Sequence, residues 1–336
     1  MPSSEFYGQN QEVIDWLLQE DQPSVRYYTL IDILGHRETY PEVRETYLQI
    51  PKRGWANEIL SLQKPEGYWE PERPSWGKDP VGWMEFLYRP KFVATNWRAL
   101  VLADLGLTSK DKRIKKTADL FFEYKLRLSS PFNFFTEEAC IVGNTARMLT
   151  RFGYYDDYRV KKLYDRLLED QREDGGWNCF RPDRGTLDNW EPLAAYDALP
   201  RSKRTRKIER SVARGAEFYL ARKLFEEGKK YPPWFRFHYP NHYYYDILIG
   251  LDLLTKLGYA NDKRLGPALK ILKEKRQADG TWLLDKVHPD LGAGVTESEF
   301  GVDKGPKPFA LEKVREPSKW ITLRALRVLK RVEDAS

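Results

Sequence analysis

The 336-residue chain is poor in the residues that carry most extracellular and metal chemistry, with only two cysteines, four histidines and three methionines. Cys140 and Cys179 cannot build a disulfide framework, and both are expected as reduced thiols of a cytoplasmic protein. The start, MPSSEFYGQNQEVIDWLLQEDQPS, lacks a basic stretch followed by an apolar one, so no export signal is expected there. No run approaches the ~18 apolar residues of a membrane span, which leaves only peripheral membrane contact open. Nothing alternates with period two over a useful length, so strands should be few. Gly-x-Ser-x-Gly, a Walker loop, His-Glu-x-x-His and a strand-borne dinucleotide fingerprint are all missing, which removes the usual hydrolase, nucleotide and metalloprotease readings. Charge of one sign is scarce as well. The net charge of +6 is left over from 56 Lys and Arg interleaved with 50 Asp and Glu, and only RSKRTRKIERSVAR (201–214) is densely basic. That pattern reads as solvated helix faces, and nucleic acid is not an expected partner.

What the chain does hold is aromatic surface and a repeat. Eleven Trp, 20 Tyr and 16 Phe suit a core, and they also suit an aromatic-lined cavity. SLQKPEGYW ends at Trp69, LEDQREDGGW at Trp177 and KRQADGTW at Trp282, the last one residue shorter. Their glutamines, Gln63, Gln171 and Gln277, stand 108 and 106 positions apart. Half of that interval matches two helices with their connections. TNWRALVLADLGL (95–107), TEEACIVGNTARMLTRFGY (136–154), NWEPLAAYDALP (189–200) and HYYYDILIGLDLLTKLGY (242–259) share an apolar spacing of 3–4 and a Gly or Pro stop. A more charged helical segment follows each, and SVRYYTLIDILGH and SKWITLRALRVLKRV add one apolar helix near each end. The economical arrangement is all-α: a single ring of about six inner helices inside about six amphipathic outer ones, an α/α toroid closing first repeat on last. Residues 1–336 then form one domain, with 1–50 completing the ring.

The Gln-x(2–3)-Gly-x-Trp device resembles the QW motif of the terpenoid cyclase and protein prenyltransferase superfamily, the prenyltransferase and squalene oxidase repeat. The resemblance covers roughly residues 55–332. It implies that Gln63/Trp69, Gln171/Trp177 and Gln277/Trp282 tie outer helices together, and that an apolar, isoprenoid ligand occupies a central cavity. It implies no cofactor. The Asp-x-Asp-Asp acid motif of squalene-type cyclases and the Asp-Asp-x-x-Asp motif of class I terpene synthases are both absent. Protein prenyltransferases hold zinc through Asp-x-Cys and a later His. Glu138, Cys140 and His242 offer a less favoured counterpart, with Glu in place of Asp and too long an interval to the histidine.

The resemblance puts the active site at the mouth formed by the starts of the inner helices. Helix N-termini there would also favour an anionic group. The catalytic candidates are His242, Asp246, Glu138 and Glu191. His242 and Asp246 stand four apart on one helix face, with His238 another four before, so the pair reads equally as base plus orienting carboxylate or as a structural cap. Asn96, Trp97, Cys140, Asn144, Trp190, Tyr243 and Trp320 are the candidates for contacting the ligand. Two other readings stay open. A carbohydrate-processing toroid would use Glu138, Glu191 and Asp246 with Trp76, Trp83, Trp190 and Trp234 as stacking surfaces, and a non-catalytic ring would bind a lipid or a partner protein.

Overall fold

The computed structural model describes residues 4–69, 86–88, 92–126, 138–228, 230–242, 244–287, 297–298, 301–302 and 310–336. Thirteen helices of six residues or more recur through them: α1 (Ser4–Leu17), α2 (Pro23–Tyr28), α3 (Pro41–Gln49), α4 (Gly54–Ser61), α5 (Thr95–Asp104), α6 (Lys112–Leu120), α7 (Ala139–Leu149), α8 (Tyr158–Asp170), α9 (Glu191–Ala198), α10 (Arg206–Ala221), α11 (Ile247–Leu254), α12 (Gly266–Glu274) and α13 (Lys319–Asp334). Among the described residues the sole ladder of strands is the two-residue pairing of Glu297–Ser298 with Gly301–Val302. The fold is all-α, as the periodicity predicts. No helix among the described residues is long and apolar enough to cross a membrane.

Helices α5, α7, α9 and α11 are buried on nearly every face. Such helices must be surrounded by others. The outer helices bury one stripe instead; in α8 it is Val160, Leu163, Tyr164 and Leu167. Around the inside, α5 packs on α7, α7 on α9, α9 on α11, α11 on α13, and α13 back on α2. The ring closes between α2 and α5, where the Tyr28 ring lies against Gly106 and the hydroxyls of Tyr47 and Thr108 meet at 3.1 Å.

Two local devices repeat with the helix pairs. The turns that end α5, α7 and α11 place Gly106, Gly153 and Gly258 at φ of 93°, 101° and 105°, the left-handed stop expected from the sequence. Asp111, Asp157 and Asp262 then cap the outer elements that follow, each accepting the amide N–H two residues on, from Arg113, Arg159 and Arg264. Each arginine folds its guanidinium back onto the same carboxylate. These connections are short. Those leading back to the inner helices are long, and their described parts cover the N-terminal end of the ring.

The three glutamine–tryptophan segments join outer helices. In all three the indole N–H donates to the carbonyl ten residues earlier, on Ile59, Leu167 and Leu272, at 2.8–2.9 Å. Gln63 Nε2 donates to the Arg113 carbonyl and Thr117 Oγ1 on α6, and Gln171 Nε2 to the Ser211 carbonyl on α10. The third copy departs from the expectation, because Gln277 Nε2 reaches only the nearby Lys275 carbonyl. Arg276 takes over its bridging role: it donates to Asn10 Oδ1 on α1 at 2.7 Å and lies over the Trp282 ring. The missing residue between Gln277 and Gly280 shortens the turn, and the neighbour it must reach is the first helix of the chain.

Candidate functional site

A cavity of about 850 Å³ lies inside the ring. Its floor is apolar and aromatic, formed by Tyr28, Trp190, Ala194, Ile249, Leu253 and Trp320. Above the floor stand charged side chains from the inner helices, from the turns that follow them and from around α3, and the lining holds eight basic residues against five acidic ones.

These charges form a girdle between neighbouring helices. Arg327 of α13 pairs with Asp32 just after α2 at 2.5 Å, and Arg331 of α13 with Asp252 of α11 at 2.7 Å, with Arg324 beside it at 3.7 Å. Lys256, just past α11, pairs with Asp197 of α9 at 2.7 Å. Asp104 of α5 takes both Arg147 of α7, at 3.4 Å, and Arg151 just beyond it. Arg147 and Arg327 also lie over the rings of Trp190 and Tyr28, so the floor and the girdle are in contact. Burial would raise the Asp252 carboxyl, but Arg331, Arg324 and Arg327 outweigh it and bring it down to about 2. Burial pulls Arg147 below its ordinary value. Cations suit this end electrostatically, because helix C-termini converge here with their partial negative charge.

The cavity therefore opens at the end opposite to the one expected from the helix starts. The cause is loop length. Short turns leave the C-terminal end open, whereas the described parts of the long connections pack buried rings such as Phe92, Trp234 and Tyr239 at the N-terminal end. Of the residues chosen from sequence, Trp190 and Trp320 line the floor. Trp97, Asn144 and His242 do come together, in the packed layer at that end. Asn144 Nδ2 donates to the His242 carbonyl at 3.1 Å, and the His242 imidazole lies against the rings of Trp97 and Phe92. Burial lowers the His242 imidazole to about 3, so it is neutral at physiological pH. Asn96 is buried in the first turn of α5. Tyr243, Trp76 and Trp83 lie outside the described residues.

Asp246 serves as a cap. Its Oδ1 accepts the Ile249 N–H, and its Oδ2 accepts the His238 N–H and the Asn241 side chain. The imidazole set against this carboxylate is that of His238, with Nδ1 at 3.5 Å. Glu191 is fully buried, and among the described residues neither carboxylate oxygen has a hydrogen-bond partner. Burial, reinforced by Cys179, pushes its carboxyl well up.

Glu138 and Cys140 do meet a third potential ligand, which is Cys179 and not His242. The ligand atoms of those three lie within 4.8 Å of one another. The hydrogen bond between the two thiols, with burial added at Cys140, raises Cys140 and lowers Cys179.

Sequence reasoning passed over the girdle, although a signal existed. Asp32, Asp104, Asp197 and Asp252 each interrupt the apolar run near the end of an inner helix, in LIDIL, LADLG, AYDAL and GLDLL. Four such acids at one depth demand four sets of cations.

No protein-family model matches the chain, and no curated protein matches it. Among solved structures it is similar to type II terpene cyclase MstE from Scytonema, with 12% identity over 99% of both chains and a TM-score of 0.46. It is also similar to an arginine-to-alanine variant of MstE in complex with geranylgeranyl dihydroxybenzoate, with 15% identity over 98% of this chain and 97% of that one and a TM-score of 0.44.

Proposed function

We propose that the ring binds an amphipathic small molecule, an isoprenoid-class hydrocarbon carrying an anionic head. The observation that carries this reading is the aromatic floor under a rim in which basic groups outnumber acids. Trp190, Trp320 and Tyr28 offer stacking surface for the hydrocarbon. An anionic head would exchange with Asp104 or Asp252 for their arginines, each of which already sits partly out of water. A hydrocarbon alone would strip water from the girdle and give nothing back, so an apolar ligand that also carries an anionic head fits best. The volume lies within the range of about 300–1,000 Å³ usual for small-molecule sites.

A carbohydrate-cleaving site needs one protonated acid beside one free carboxylate. Here Asp32, Asp104, Asp197 and Asp252 are each held by a cation, so none is placed to give a proton. For the same reason we propose binding without a catalytic step. The shared indole-to-carbonyl bond supports reading the glutamine–tryptophan segments as QW-type repeats. The unbroken circuit of inner helices supports one domain over 1–336, and the reduced thiols suit a cytoplasmic setting.

The test is calorimetric titration of the full chain with farnesyl monophosphate, farnesol and inorganic phosphate. The amphiphile should bind more tightly than either half, and Arg331→Gln should weaken it while leaving farnesol unchanged. Equal affinity for farnesol and its phosphate, or no binding by any of the three, would overturn the reading.

A further inference from the structure

Away from the cavity, Cys140 and Cys179 meet across 39 residues of sequence with their sulfurs 3.2 Å apart. They belong to different segments. Cys140 is in the first turn of α7, and Cys179 is in the loop that runs from Trp177 to Trp190. Cys179 Sγ faces donors: the Cys140 backbone N–H at 3.5 Å, at the N-terminal end of an eleven-residue helix, and the Asn189 amide at 3.1 Å. Its own N–H donates to Asn189 Oδ1 at 3.0 Å, which fixes the amide's orientation. Cys140 is buried, while Cys179 is only half-buried. Cys140 Sγ donates to Glu138 Oε2 at 3.7 Å, and Glu138 is exposed to water.

We propose that Cys179 and Cys140 form a modification site, an oxidisable dithiol whose reagent is a peroxide, with Cys179 as the attacking sulfur and Cys140 as the resolving one. The Cys179 sulfur attacks one peroxide oxygen and the O–O bond breaks. Hydroxide departs and takes up a proton, leaving Cys179 as a sulfenic acid. The Cys140 sulfur then attacks the Cys179 sulfur, the S–O bond breaks, and the departing hydroxide becomes water. Glu138 accepts the Cys140 proton and passes it to solvent. In sum, two thiols lose two electrons, and one hydrogen peroxide becomes two waters. The asymmetry follows from the surroundings: backbone and amide donors stabilise negative charge on Cys179, whereas Cys140 faces a carboxylate. The new bond would tie the start of α7 to the loop that carries Trp190 into the cavity floor.

The experiment treats the purified full chain with hydrogen peroxide and reads intact and peptide masses, with dimedone as a trap for sulfenic acid and metal analysis alongside. The wild type should lose two hydrogen atoms in mass, yield a Cys140–Cys179 cross-linked peptide, and recover fully with a thiol reductant. Cys140→Ser should stop at a dimedone-trapped Cys179, and Cys179→Ser should leave Cys140 unlabelled. The wild-type cross-link can be read whether or not the variants fold. A wild type that ends as sulfinic acid without cross-linking, equal labelling of the two single variants, or a stoichiometric metal ion holding both thiols would each overturn the proposal. The readout is mass, so its failure is separate from any failure of ligand binding in the cavity.

Discussion

Gly143 of α7 runs so close to Glu191 of α9 that a β-carbon on it would lie 2.6 Å from the Glu191 carbonyl carbon. The neighbour is backbone and cannot swing aside. Gly143→Ala should therefore separate two inner helices and lower stability by about 1–3 kcal/mol, as overpacking does. Urea denaturation measures it, and an unchanged midpoint would contradict the close packing.

Trp177 is fully buried and its indole N–H is bonded to the Leu167 carbonyl. Trp177→Ala should cost about 3–5 kcal/mol, the range for large buried aromatics. Any ligand bound in the cavity should keep its affinity for whatever fraction stays folded. A variant of wild-type stability that had lost binding would move Trp177 from scaffold to site.

The buried His242 imidazole, held at about 3, makes stability depend on acid. Its unfolded value is near 6.5, so between those limits the unfolded chain takes up a proton that the folded chain refuses. The contribution is complete above about pH 6.5 and fades as pH falls toward 3. Glu312, pushed up to about 7 by burial, and Glu191 act with the opposite sign over part of that window. The informative quantity is therefore the difference between wild type and His242→Asn, a replacement chosen because asparagine tolerates the φ of 45° found there. Denaturation at pH 7 and pH 5 should show the wild type losing more stability on acidification than the variant. Parallel losses would place the imidazole in contact with water.

Asp252 neutralises Arg331 and Arg324. Asp252→Asn should lower stability by about 1.5–3 kcal/mol through the lost charged hydrogen bond. It should also tighten binding of inorganic phosphate, since the cavity gains net positive charge. Weaker phosphate binding, measured by calorimetry at low salt, would show that the arginines need Asp252 to hold their positions.

The ring was legible because its signals are local. Gln63…Trp69 and its two later copies, the glycines ending α5, α7 and α11, and the 3–4 spacing of Val160, Leu163 and Leu167 all lie within a turn or two of what they determine. The open end was not legible, because it depends on how long loops fold over a ring already built. His242 and Trp97 meet, but buried in a packed layer outside the cavity lining. Cys179 was missed as the neighbour of Cys140 because a 39-residue interval says nothing of distance, although the chain offers no other pairing. Arg324, Arg327 and Arg331 lie on one face of SKWITLRALRVLKRV, which reads as an apolar helix with nothing local to say where its cations point. Only the placement of α13 beside α2 and α11 turns that face inward.

The third tryptophan segment reaches across the whole chain. Arg276 binds Asn10, 266 residues away, and Lys319 meets Asp21, 298 residues away. The circle is thus fastened by segments that stand far apart in the order of synthesis. On a ribosome the helix pairs can pack as they emerge, but the seam stays unsealed until α13 has emerged too. Contacts this distant in sequence are the slow ones in folding. Until then the inward faces of α2 and α11 are bare, so the interval between synthesis and closure is when this protein most needs protection from its neighbours.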